Sequence, residues 1–325
     1  MSFWRKFMQV IIGADHLGNN FIERLREKFP SVDFYDCMQG DEIPEETSMA
    51  EVYFGWPNST QFKLLTNLKW IACPGMGIDK IAKYREILDS DVIITNSPKT
   101  HVNAMADYAI GAMISLAHRF NDCYKDQSQR VWDTQKYNSK IVELTGRTVG
   151  IFGLGEIGRA VAQRCVGFGM EIFSVDPNPS FVPDFVSECW TDDRLDELCK
   201  ISDFLIVTAP LLASTRSSID VAQLELMKKG SFIVVVSRGG IVDELALMKY
   251  LKLGHLGGAA LDATVVEPLP IDSDLWSLDN IIITPHVSAL SPELYEMRRI
   301  IFEDNLTNYI NNKNLNHICD KTASI

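Results

Sequence analysis

The feature that most constrains this chain is a glycine turn, Gly153-Leu154-Gly155-Glu156-Ile157-Gly158, in a particular setting. The apolar run Val149–Phe152 precedes it and reads as a buried strand. The stretch Glu156–Gly169 follows with helical spacing of apolar residues. A second strand candidate, Glu171–Val175, then ends at Asp176, 18 residues past Gly158. A lone Gly-x-Gly-x-x-Gly is weak evidence, but strand, turn, helix and a second strand closed by an acid is the pattern of a dinucleotide-binding unit. Each position has a physical task. Gly153 permits the tight turn, Gly155 lets a pyrophosphate approach bare backbone, and Gly158 lets the helix pack close to the sheet. Glu156 and Ile157 open that helix, whose unpaired N–H groups and positive dipole end suit phosphates. Asp176 can accept hydrogen bonds from the adenosine ribose hydroxyls and would repel a 2′-phosphate. No Arg or Lys lies within residues 177–184 to attract one. The expectation is NAD rather than NADP. A related turn binding another nucleotide or a methyl donor stays open at this point.

The rest of the chain repeats the same alternation. Gln9–Gly13, Val32–Tyr35, Val52–Gly55, Leu68–Ala72 and Val92–Thr95 read as strands, with a helix over Asn20–Phe29. Thr100–Phe120 predicts one long helix rich in Ala and Met. Asn121–Lys140 is polar and lacks clear periodicity, which predicts an extended arm. Beyond the glycine turn, Phe204–Val207, Phe232–Val236, Gly258–Leu261 and Ile281–Ile283 complete the strand candidates, and Leu294–Asn311 is a final helix. Runs such as Phe204–Val207 are apolar on both alternating sets, as in a parallel sheet covered on both faces. The order predicts an α/β protein in which a Rossmann dinucleotide-binding domain, residues 101–289, is inserted in a flavodoxin-like α/β substrate domain, residues 1–100 plus 290–325.

Composition narrows the partners. The chain has 325 residues, enough for two ordinary domains. Its formal net charge is −12, which disfavours nucleic acid and anionic lipid as partners. No apolar run approaches the roughly 20 residues of a membrane span. The start, Met1–Val10, passes straight into Val10-Ile11-Ile12, too short a run for a signal-peptide core. The seven cysteines are scattered with no Cys-x-x-Cys pair. They argue for reduced thiols in the cytoplasm and against disulfides or a metal site.

Further motifs carry a resemblance. Ser237-Arg238-Gly239-Gly240-Ile241-Val242-Asp243-Glu244 follows a buried strand. Leu261–Pro270 (LDATVVEPLP) and Thr284-Pro285-His286 come next in order. With the glycine turn, with Leu68–Lys80 (LKWIACPGMGIDK) and with Ser97–Asp107, they make almost the whole chain resemble the D-isomer-specific 2-hydroxyacid dehydrogenase family. That resemblance implies interconversion of a small 2-keto acid and its D-2-hydroxy acid by hydride transfer. It implies His286 as the acid, since an imidazolium can supply a proton near neutral pH. Glu267 would hold that imidazolium through its other ring nitrogen. Arg238 would bind the substrate carboxylate and polarise the keto oxygen. By the same resemblance, backbone N–H groups of Gly75, Met76 and Gly77 anchor the carboxylate, Asp262 lies near the nicotinamide carboxamide, and Ala209 and Pro210 wall the adenine.

Singly, each residue has a plainer reading. Arg238 could be a solvated arginine, Glu267-Pro268 an ordinary turn and Met76 loop packing. The histidines other than His286 read as surface or packing residues. Tyr53, Phe54, Trp56 and Trp70 could shape a pocket for a bulky keto acid or could be core. The resemblance further implies a homodimer, with Trp132 packing on the partner. The same fold also serves transcriptional co-repressors, so an NAD-sensing scaffold is the alternative function. With no obvious docking tail in the sequence the scaffold role is the less expected one, and with no regulatory extension of the kind some phosphoglycerate enzymes carry that specificity is the less expected one.

Overall fold

Apolar runs supply most strands of two all-parallel sheets, and the central ones are buried on both faces. The computed structural model describes residues 8–14, 20–37, 42–179 and 181–321. The stretch before Met8 and His16 lie outside the described residues. By internal contacts the chain divides into two compact units, one within residues 1–101 and 291–325, the other within 102–290.

The first unit runs β1 (Met8–Ile12), α1 (Asn20–Lys28), β2 (Val32–Asp36), β3 (Val52–Phe54), α2 (Ser59–Leu64), β4 (Trp70–Ala72), α3 (Asp79–Ala82), α4 (Arg85–Leu88) and β5 (Ile93–Thr95). The second contains α5 (Val102–Ala117), α6 (Phe120–Gln129), β6 (Thr148–Phe152), α7 (Glu156–Val166), β7 (Glu171–Val175), β8 (Glu188–Trp190), α8 (Leu195–Ile201), β9 (Phe204–Val207), α9 (Val221–Leu226), β10 (Phe232–Val235), α10 (Glu244–Lys252), β11 (Gly258–Leu261) and β12 (Ile281–Ile283). Helix α11 (Pro292–Ile310) then returns to the first unit.

The first sheet has the order β2-β1-β3-β4-β5, the flavodoxin-like order. The second has the order β12-β11-β10-β9-β6-β7-β8, the dinucleotide-binding order extended by one strand. This is the predicted fold class. Parallel strands need a crossover each, and the helices between them supply it.

Three local outcomes differ from expectation. The long helix ends at Ala117 because Arg119 takes a left-handed backbone, φ 57°. The first half of the expected arm is instead helical, as α6. Its buried positions are Asp122 and Asp126, not apolar residues. Asp122 pairs with Arg119, and Asp126 with Lys136 and the Tyr137 hydroxyl. A helix whose inward face is acidic has no apolar periodicity to read. Strand β8 was not expected, since its three residues, Glu-Cys-Trp, form no apolar run.

Helix α11 completes the first unit's core. Phe302 is 1% exposed. Its ring lies 4.3 Å from Phe54, 5.6 Å from Trp70 and 6.3 Å from Phe21. At the rim, Lys28 Nζ meets the buried Glu303 carboxylate at 2.6 Å. Phe302→Ala removes the centre of that aromatic cluster. It should destabilise the first unit by about 3–5 kcal/mol, measured by denaturant unfolding followed through tryptophan fluorescence.

Candidate active site

The second sheet's register sets where its loops emerge. Phe152 lies opposite both Val175 and Val207, Val207 opposite Val235, Val235 opposite Leu261, and Leu261 opposite Ile283. Gly153, Asp176, Thr208, Arg238, Asp262 and Thr284 therefore all stand just past the carboxyl ends of aligned strands. Strand order reverses between β6 and β9, and in open α/β sheets that is where ligands sit.

The glycine turn is built for a close approach. Gly153 has φ +100°, and a Cβ there would crowd the Ala209 backbone. A Cβ on Gly158 would strike the Gly153 carbonyl oxygen. Around Gly155, by contrast, nothing lies within 4 Å of the Cβ position, so the backbone is open where a pyrophosphate would rest. Thr208 donates its hydroxyl to the Gly153 carbonyl at 2.6 Å, tying β9 to the turn. Arg159 donates to the Leu154 carbonyl at 2.9 Å and pairs with Glu156 at 3.0 Å, bracing the turn from the helix side. Ile157 follows Glu156 in the first turn of α7.

Asp176 accepts the Leu154 N–H at 2.8 Å on one oxygen and the Asn178 N–H at 2.9 Å on the other. Each oxygen keeps a lone pair for a ribose hydroxyl. Ala209 is buried beside Gly153, and Pro210 is exposed on the same loop. The open turn, the helix end and the acidic acceptor together fit a nicotinamide dinucleotide.

At the other half of the edge, His286 and Glu267 meet. His286 Nδ1 lies 2.9 Å from Glu267 Oε2 and 3.1 Å from Oε1. Glu267 Oε1 also accepts the Thr264 N–H at 3.1 Å, which fixes the carboxylate. Arg238 is carried to the same place by close packing: a Cβ on Gly239 would strike the Thr264 backbone, so the two loops lie in contact. The guanidinium donates to the Ser237 carbonyl at 2.8 Å.

Asp262 is 1% exposed. Its carboxylate accepts from the Thr284 hydroxyl at 2.6 Å, from Val287 N–H at 2.9 Å and from Ser288 N–H at 3.0 Å. Its carbonyl oxygen accepts the His286 N–H at 2.9 Å. His286 itself has φ +55°, an uncommon conformation for a residue with a Cβ. The structure thus adds a holding contact between Asp262 and the His286 loop that sequence reasoning did not see.

Glu244 was also missed as a site residue, though it closes the motif that contains Arg238. It accepts the Val265 N–H at 2.6 Å and so steadies the Glu267 loop. Burial pushes its carboxyl above the usual range. Asp243 and Glu267 add to the shift, while the Val265 N–H opposes it.

In the first unit, Gly75 and Gly77 flank an exposed Met76 on the loop after β4. Ser97 N–H donates to the Gly75 carbonyl at 2.9 Å, and Asn96 Nδ2 to the Met76 carbonyl at 2.7 Å. Those bonds occupy the loop's carbonyls and hold its shape. Tyr53, Phe54 and Trp70 are at most 2% exposed and are core. Trp56 alone of the four aromatics stands at the loop, its ring under Lys80 Nζ at 4.3 Å and against Gly75.

Comparison with known proteins accords with this geometry. The family described as "D-isomer specific 2-hydroxyacid dehydrogenase, NAD binding domain" matches residues 110–288. A D-3-phosphoglycerate dehydrogenase of Methanocaldococcus jannaschii is 37% identical over 229 residues, 70% of this chain and 42% of that protein. The chain thus spans less than half of that relative's length. A hydroxypyruvate reductase of Thermotoga maritima is 35% identical over 233 residues, 70% of this chain and 72% of the relative. A crystal structure of a D-isomer specific 2-hydroxyacid dehydrogenase family protein from Aeromonas salmonicida superposes with a TM-score of 0.84 at 25% identity, covering 97% of this chain and 99% of that one. The chain belongs to the D-isomer specific 2-hydroxyacid dehydrogenase family, and its second unit carries that family's NAD-binding domain.

Proposed function

We propose that the protein reduces a small 2-keto acid to its D-2-hydroxy acid, and catalyses the reverse, with His286 as the acid–base group. The observation that carries this reading is the His286–Glu267 pair at the same sheet edge as the glycine turn. When bound, the dinucleotide supplies or accepts the hydride at the substrate's second carbon. Arg238 holds the substrate carboxylate through its planar fork and polarises the keto oxygen. With Nδ1 engaged by Glu267, the other ring nitrogen of His286 is left to deliver a proton to that oxygen. Glu267 stabilises the imidazolium before delivery and takes up the same role in the reverse direction. Gly75, Met76 and Gly77 anchor the carboxylate through backbone N–H groups in the manner of the family. Asp176 directs the site to NAD, since its carboxylate opposes a 2′-phosphate.

The substrate class is supported by the relatives, named for phosphoglycerate and hydroxypyruvate. A panel of glyoxylate, hydroxypyruvate, its phosphate ester, pyruvate and bulkier 2-keto acids, read by NADH consumption, tests it; no turnover with any of them overturns it. His286→Ala should lower kcat by at least about 100-fold while NADH still binds, as read by fluorescence titration. Asp176→Ala should raise the ratio of kcat/KM with NADPH to that with NADH by at least about tenfold, near 1.4 kcal/mol.

Two further readings belong with this one. The seven cysteines are free and four are buried, which supports a reducing, cytoplasmic setting. No helix among the described residues is long and apolar enough to cross a membrane. Around α6, Trp132 is 95% and Tyr124 67% exposed, with Phe120 and Val131 also on the surface. Such an apolar patch supports a homodimer through this region. Trp132→Glu should shift the sedimentation coefficient from dimer towards monomer.

A further inference from the structure

The loop that carries His286 is held from behind by a chain of side chains that reaches a helix of the same unit. Tyr108, on α5, places its hydroxyl 2.6 Å from Thr284 Oγ1. Thr284 Oγ1 lies 2.6 Å from Asp262 Oδ1 and donates to it. A threonine hydroxyl has one proton, and the carboxylate can only accept. The direction of the chain follows: Tyr108 donates to Thr284, and Thr284 donates to Asp262. Burial raises the Tyr108 phenol above its usual range, so it stays protonated and able to donate. Asp262 is nearly sealed from solvent, and its remaining bonds go to the N–H groups of Val287 and Ser288, the two residues that follow His286.

We propose that Tyr108 is a positioning residue for the reaction: through Thr284 and Asp262 its hydroxyl fixes the backbone of the His286 loop and so the aim of the imidazole at Glu267. This rests on the reading of His286 as the acid–base group. The physical need is plain. His286 holds a positive φ, a conformation that its neighbours must maintain. A carboxylate buried at Asp262 requires a full set of donors, and losing one loosens its grip on the rest. An acid displaced by about 1 Å can cost about 100-fold in rate.

The test uses the full chain. Tyr108→Phe keeps the ring and removes only the donor. It should lower kcat by about 10- to 100-fold, with KM and the NADH Kd within twofold of wild type. Thr284→Val should match it, Thr284→Ser should restore near wild-type kcat, and the double variant Tyr108→Phe/Thr284→Val should be no slower than Thr284→Val alone. A wild-type kcat in Tyr108→Phe, or losses that multiply in the double variant, overturns the proposal. A second readout needs no turnover. Amide hydrogen exchange at Val287 and Ser288 should be at least tenfold faster in Tyr108→Phe; unchanged exchange overturns the proposal. If the wild type reduces no 2-keto acid, faster exchange still upholds the chain and only the functional reading fails.

Discussion

Strands β6 and β9 run side by side with Phe152 opposite Val207, and everything at the sheet's working edge depends on that pairing. It is the point from which helices leave for opposite faces, so the space above it is free of crossing chain. Thr208 and Ala209 close on Gly153 from the β9 side, while Gly158 brings α7 in from the other. Both approaches demand glycine, because any side chain would meet backbone. The same parallel alignment carries three strands further to β12. Residues more than a hundred positions apart in sequence thereby emerge at one level.

Two kinds of restraint then convert a shared edge into a site. Backbone geometry brings the loops together, as where Gly239 lies against Thr264. Carboxylates, buried at Asp262 and partly exposed at Glu244 and Asp176, fix the loops once they are there. Asp262 gathers the N–H groups around His286, Glu244 takes one from the Glu267 loop, and Asp176 takes one from the glycine turn. Each acid holds a segment that cannot be helical or extended and therefore has unpaired donors of its own. Acidic residues at this edge thus have a structural task beside any role towards ligand.

Much of this was legible in the sequence because it rests on local rules. The glycine turn, the apolar runs and the acid closing β7 are local patterns with one physical meaning each. The motifs around Arg238, Glu267 and His286 were legible through resemblance, but the sequence did not show that His286 and Glu267 meet; the 2.9 Å contact does. What was not legible rests on polar burial. Helix α6 hides two aspartates where a core helix would hide leucines, so its periodicity is invisible to an apolar count. Tyr108 sits among alanines and methionines of α5 and looks like packing, and only the 2.6 Å contact with Thr284 gives it a partner. The aromatic cluster of the first unit divided by burial alone, which no spacing rule reports.

Helix α11 has a temporal consequence. Phe302 packs against Phe54, and 248 positions of sequence separate them. At about 5–20 residues per second of synthesis, the first sheet waits on the order of 12–50 s on the ribosome for the ring that covers it. The intervening segment, whose sheet takes all its strands from one uninterrupted stretch, can fold during that interval. The nascent chain therefore needs some protection for an exposed apolar face at its beginning, and a stall after residue 290 would release a protein with a finished cofactor fold and an uncovered sheet.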